Sequence, residues 1–193
     1  MSFKDLVIKN RSYRGFDESV KITRHQLLDM IDCARLTPSS RNLQPLKYYI
    51  SNTEETNDII LGLTKWAAGL PSLNLPYECH RPTAFIVVCY DKTIGGEIIT
   101  PFLKDVGIVS QTILLAATEM GFNGCMIGNF NPEKLANALS LSKNLLPSLV
   151  IGLGKADENI ILTDIKNGNT GYYRDEQDNH YVPKRKLEEE LIN

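Results

Sequence analysis

The 193-residue chain has no stretch apolar enough to cross a bilayer. Its longest apolar run, Ala84-Phe85-Ile86-Val87-Val88-Cys89-Tyr90, falls far short of the ~20 residues a spanning helix needs. There is no basic excess either. A formal net charge of −2 argues against a nucleic-acid partner, which would call for an obvious cationic surplus. Cys33, Cys79, Cys89 and Cys125 form no Cys-x-x-Cys pair, so neither zinc nor a dithiol motif is indicated. They read as reduced, mostly buried small hydrophobes. His25, His80 and His180 lie far apart without metal-ligand spacing, and each reads as a surface or loop residue. No metal site is expected. Gly-x-Gly-x-x-Gly after a strand, Gly-x4-Gly-Lys-Ser/Thr and Gly-x-Ser-x-Gly are all missing. Dinucleotide, nucleoside-triphosphate and α/β-hydrolase sites of those kinds therefore find no support. The start, Met1 to Asp5, has no apolar run like that of a secretory signal, so a cytoplasmic location is expected.

What is present is ordinary for a globular protein: 42% hydrophobic and 23% charged residues. No repeat or linker divides the chain, which is expected to form one domain over 1–193. Ser2 can cap a short helix to about Lys9, and Thr23 with Gln26 forms a capping box for a helix ending before Pro38. Leu46 to Ile50 alternates like a strand, and a helix from Thr53 to about Ala68 is expected to follow. The 69–82 stretch, with Pro71, Pro76 and Pro82, reads as a long loop. Thr83 to Tyr90 reads as a strand buried on both faces. A helix over Pro101–Met120, strands over Gly124–Ile127 and Leu146–Leu153, and a small helix opening at Asn131-Pro132-Glu133 complete the pattern. Lys155 to Asn179 is polar and turn-rich. Helices and strands mix without a strict βαβ rhythm, which favours an α+β sheet flanked by helices.

Two segments carry the chemistry. Asn10-Arg11-Ser12-Tyr13-Arg14 offers two guanidinium groups and a hydroxyl in one irregular stretch, suited to a phosphate. Pro38-Ser39-Ser40-Arg41-Asn42-Leu43-Gln44-Pro45 sets hydroxyls and carboxamides at a helix exit. Carboxamides both donate and accept, which suits the alternating edge of a flavin ring. Gly124 and Gly128 are either turn and bulge residues or places where backbone lies flat against such a ring.

In order, these segments resemble the nitroreductase family of FMN-dependent oxidoreductases. The matching residues are Arg11-Ser12-x-Arg14-x-Phe16-Asp17, Pro38-Ser39-Ser40-x-Asn42-x-Gln44-Pro45, Asp105-x-Gly107-x3-Gln111, Gly121 with Gly124-Cys125-Met126-Ile127-Gly128, and Pro183-Lys184-Arg185. The resemblance implies an α+β fold, a mostly antiparallel sheet flanked by helices, in an intertwined homodimer with FMN at the subunit interface. Arg11, Ser12 and Arg14 would hold the phosphate, ribityl chain and pyrimidine side, and Lys184 and Arg185 would add charge at the phosphate. Pro38, Ser39, Ser40 and Asn42 would reach the flavin from the other copy, and backbone at Ile127 and Gly128 would face its reactive edge. Asn10 replaces an arginine frequent in the family, and Leu46 a frequent tryptophan.

The implied activity passes reducing equivalents from NAD(P)H, through the flavin, to a small aromatic acceptor such as a nitroaromatic or quinone, by a ping-pong mechanism. No side chain is needed as a nucleophile, so none is assigned as catalytic. Trp66 and Tyr77 are candidates for the acceptor wall. The alternative is a non-catalytic flavin-binding protein for storage or sensing, separable by whether reduced nicotinamide bleaches it. A plain structural dimer would stay colourless even with FMN supplied.

Overall fold

The structure, a computed structural model, describes residues 1–70 and 72–192, so Pro71 and Asn193 lie outside the described residues. The first half comprises α1 (Phe3–Lys9), β1 (Phe16–Asp17), α2 (Arg24–Arg35), β2 (Leu46–Ser51), α3 (Glu54–Gly62) and β3 (Ala84–Asp91). Then come α4 (Lys92–Gly95), α5 (Leu103–Glu119), β4 (Asn123–Ile127), α6 (Pro132–Ala138) and β5 (Leu145–Ala156). The tail holds β6 (Ile160–Asp164), β7 (Tyr173–Arg174), β8 (His180–Lys184) and α7 (Leu187–Glu190). No described helix is long and apolar enough to cross a membrane.

The unbroken apolar run forms β3, and its side chains leave on alternate faces into two separate cores. Ala84, Ile86 and Val88 pack with Leu27, Met30 and Ala34 of α2 and Val106, Val109 and Ile113 of α5. Phe85, Val87 and Cys89 pack instead with Ile60 of α3, Leu135 of α6 and Leu139. Each such aliphatic or aromatic side chain contributes about 1.5–3 kcal/mol when fully buried. Both faces must therefore be covered, and helices cover them. The sheet runs β1-β5-β3-β2, with β4 also on β5, and every pairing in it is antiparallel.

Local signals hold at the helix starts. Ser2 and Asp5 bond reciprocally at 2.9 and 3.1 Å, as do Thr23 and Gln26 at 2.9 and 3.3 Å. Three expectations change. The third helix stops at Gly62 rather than near Ala68, because the chain turns off to pair elsewhere: Thr64 bridges Phe130, and Lys65 N–H donates to Asn129 O at 2.8 Å. The long helix opens with a 3-10 turn, Thr100–Phe102, before α5 begins. The polar tail is not simply turns. It builds a second sheet, β6-β8-β7, in which β6 and β8 run parallel. Pro183 is tolerated in β8 because β7 pairs only with Tyr181 and His180, leaving the proline flanked by β6 alone.

The tail sheet docks beside the segment leaving α1. Asp157 N–H donates to Gly15 O at 3.0 Å, and the Glu158 carboxylate accepts the backbone N–H of Arg14. This contact brings the two ends of the chain to one site.

Candidate functional site

After α1 the chain crosses β4, with Ser12 bridging Gly124 and Tyr13 N–H donating to Gly124 O at 3.1 Å. Gly124 itself answers to packing, since a Cβ there would run into the Gly152 carbonyl. The Arg11 guanidinium bonds Asn10 O at 2.6 Å and Val7 O at 2.8 Å, satisfying carbonyls at the exit of α1. Arg14 donates to Ser12 O at 3.1 Å and lies 5.1 Å from the Tyr172 ring centroid, a cation–π contact. Its Nε is buried without a partner among the described residues. Opposite, β8 turns His180, Val182 and Lys184 toward the same space, at the period of two that a strand imposes. Together with Gln111, Leu114 and Met126 these residues enclose a cleft of about 290 Å³.

Arg14, Met126 and Tyr172 also border a second cavity of about 170 Å³, lined by Ile127, Gly128, Asn129, Lys65 and Trp66. Among the described residues nothing lies within 4 Å of where a Gly128 Cβ would stand, so the backbone there is open to a flat group. Trp66 lines this cavity, its indole N–H fixed on Thr64 Oγ1 at 3.0 Å. Tyr77 lines neither cavity.

The Pro38–Pro45 loop lies elsewhere on the chain. Ser39 Oγ donates to Asp105 Oδ2 at 2.7 Å, and Ser40 donates its N–H at 2.8 Å and its hydroxyl at 2.6 Å to the same carboxylate. Asp105, on α5, is 2% exposed. Burial pushes its carboxyl up, but the Ser40 and Ser39 bonds outweigh burial and hold it below the usual carboxylate range. Arg41, Asn42 and Gln44 all adopt positive φ, between 52° and 54°, a conformation that costs non-glycine residues energy and clusters at functional sites. Pro38, Ser39 and Gln44 line a third cavity of about 200 Å³, which shares no residue with the Arg11–Arg14 cleft. Arg185 also stands outside that cleft, 3.9 Å from Glu189.

Four features were not foreseen: His180, Tyr172, Glu158 and Arg174. His180 is a correction, being 2% exposed inside a strand rather than at the surface. His25 is open to solvent and His80 lies half-exposed in a loop, as expected. Of the cysteines, Cys89 and Cys125 are buried, whereas Cys33 and Cys79 are exposed, because each falls on an outward-facing helix or loop position. Glu158 and Arg174 form an ion pair with side chains 3% and 5% exposed. Burial pushes the Glu158 carboxyl up, opposed by the Arg14 N–H and by the charges of Arg174 and Arg14. Burial, with Arg14 and Arg174 nearby, pushes His180 down to about 4, so its imidazole is neutral near pH 7. The available signal was the alternation His180-x-Val182-x-Lys184, hidden by the proline between the last two.

The donor set suits FMN: cations at one end, orphaned buried nitrogens in the middle, and open backbone at the other. Comparison with known proteins agrees. Residues 7–72 and 73–155 match the model of the nitroreductase family. The chain belongs to the nitroreductase family. It is 23% identical over 184 residues to YdgI of Bacillus subtilis, provisionally named an NAD(P)H nitroreductase, covering 80% of this chain and 88% of that protein. It is 25% identical over 190 residues to the CLA biosynthesis enone reductase of Lactiplantibacillus plantarum, covering 79% of this chain and 84% of that protein. A nitroreductase from Exiguobacterium sibiricum, solved in complex with FMN, superposes with a TM-score of 0.66 at 22% identity, covering 82% of this chain and 90% of that one.

Proposed function

We propose that this member of the nitroreductase family is an FMN-dependent oxidoreductase that uses NAD(P)H to reduce a small, flat acceptor. The observation that carries the reading is the pair of adjoining cavities, one edged by Arg11 and Lys184 and the other floored by Ile127–Gly128, with Arg14 between them. Arg11, Ser12 and Lys184 would hold the phosphate end. Arg14 would set positive charge beside the ring's pyrimidine side, and backbone at Ile127 and Gly128 would meet its reactive edge. When bound, FMN would supply the redox chemistry, hydride acceptance from NAD(P)H and electron delivery to the acceptor in a ping-pong cycle, while the residues named above would hold and orient it.

The chain's own residues bind, orient and polarise. A guanidinium held against Tyr172 and kept half out of water stabilises negative charge on a neighbouring ring more strongly than an exposed one would. Trp66 and the residues Lys65 to Ala68 narrow the approach to the ring cavity, which favours acceptors that can stack.

We further read the protein as a homodimer. Pro38, Ser39, Ser40 and Asn42 are separated from Arg14 within one chain, so their approach to the same FMN comes from the partner copy. Exposed apolar residues support such a partner: Phe3 and Ile8 on α1, Leu103 and Ile108 on α5, and Leu187, Leu191 and Ile192 at the tail.

The test is anaerobic mixing of FMN-loaded protein with NADH and, separately, NADPH. Bleaching followed by recovery on adding a quinone or nitroaromatic supports the enzyme. A bound flavin that neither nicotinamide bleaches would make the protein a flavin carrier instead.

A further inference from the structure

None of the roles above uses His180, although it borders the cleft and is almost fully buried. Among the described residues both of its ring nitrogens lack a hydrogen-bond partner, and Nδ1 stands 4.0 Å from Glu158 Oε2, beyond bonding reach. Buried polar side chains are rarely left unpaired. Arg14 Nε is orphaned in the same wall. Two unpaired nitrogen-bearing groups on one cleft are what a ligand's polar atoms would satisfy.

The strand fixes where along the ligand this happens. Lys184 lies four residues along β8 from His180, about 13 Å at the rise of a strand. The Lys184 end carries positive charge for a phosphate. His180, that far along the strand, is edge-on to Tyr172 with ring centroids 5.4 Å apart, and Tyr172 also borders the ring cavity. Resting on the FMN reading, we propose that His180 is a cofactor-binding residue whose imidazole hydrogen-bonds a ribityl hydroxyl, midway between phosphate and ring.

The surroundings favour a hydroxyl over a phosphate oxygen. Arg14 from the segment after α1, Arg174 from β7, Glu158 before β6, Asp178 from the β7–β8 turn and Tyr172 all face His180 or lie near it. Burial and the two arginines keep the ring neutral, with one donor and one acceptor nitrogen. A hydroxyl matches that pair because it too donates and accepts. A phosphate oxygen only accepts, and the arginines and Lys184 already serve it.

The experiment follows the histidine side-chain nitrogen resonances of the full, isotope-labelled protein by NMR. FMN, lumiflavin (the ring alone) and inorganic phosphate are added in separate titrations. The expected result is a shift of the His180 nitrogens with FMN and little change with either fragment. Alongside, His180→Phe should weaken FMN binding about tenfold, the loss of roughly one hydrogen bond. The wild-type titration stands even if that variant fails to fold. Resonances unmoved by saturating FMN, or moved as far by phosphate alone, overturn the assignment while leaving the flavin reading intact. A wild type that binds no FMN overturns both.

Discussion

Arg14 ties three parts of the protein together at the scale of one residue. Its N–H is taken by Glu158 of the tail, its guanidinium rests on Tyr172, and the residue lines both adjoining cavities. Arg14→Ala should weaken FMN binding ten- to a hundredfold, since a bond to a charged group contributes about 1.5–3 kcal/mol. Fluorescence titration of FMN checks this, and an unchanged dissociation constant would remove Arg14 from the site. His180 offers a second test, through acid. Its folded value of about 4 lies below the ordinary 6.5, so between those limits the unfolded chain binds the extra proton. Stability from this source is complete above pH 6.5 and declines as pH falls toward 4, by at most roughly 3 kcal/mol. Urea unfolding of the FMN-free protein at stepped pH should show that decline, and His180→Phe should flatten it. His180 was not legible as a site residue, because a lone histidine with no ligand-spaced neighbour gives no local cue to burial.

Among the elements, the Pro38–Pro45 loop and the tail sheet are each tied down in part by one buried carboxylate. Asp105 holds the loop by three bonds of 2.6–2.8 Å. Asp105→Asn should cost about 1.5–3 kcal/mol in urea unfolding and loosen the three left-handed residues that follow Ser40. With its folded value held low, Asp105 contributes stability above the ordinary carboxylate value, and that contribution is lost as pH falls through the lowered one. Glu158 ties the tail to Arg14 while paired with Arg174. Glu158→Gln should destabilise by about 1.5–3 kcal/mol, because it leaves the buried Arg174 guanidinium with Asp178 as its one remaining carboxylate partner, and should speed hydrogen exchange at the Arg14 amide. Unaltered exchange there would show that the tail is held by other contacts. The main sheet was legible because β3 has an unbroken apolar run and α2 a capping box. The tail sheet was not, because β6 and β8 are short, half-exposed and, in β8, interrupted by a proline. The α3 helix overran on paper since apolar spacing continues through Leu63 and Trp66. Contacts distant in sequence end it, the pairing of Thr64 with Phe130 and the bond from Lys65 to Asn129.

At the scale of the whole molecule, motif order along the chain predicted the meeting of both termini, although neither segment alone compels it. The Arg11–Arg14 segment and Lys184 do line one cleft, while the Pro38–Asn42 loop does not. That separation is why a second copy is needed in the proposal. Sedimentation should therefore report two chains per particle, and Ile108→Lys on the exposed face of α5 should favour the monomer and weaken FMN binding with it. A stable monomer that binds FMN as tightly as wild type would refute the shared site. The most direct measurement is a crystal structure of the FMN-loaded protein. Difference density is expected with phosphate between Arg11 and Lys184, the ring over Ile127–Gly128, and the Pro38–Asn42 loop of the other copy against it. Density elsewhere, the opposite orientation, or no flavin from saturating FMN would contradict the assignment.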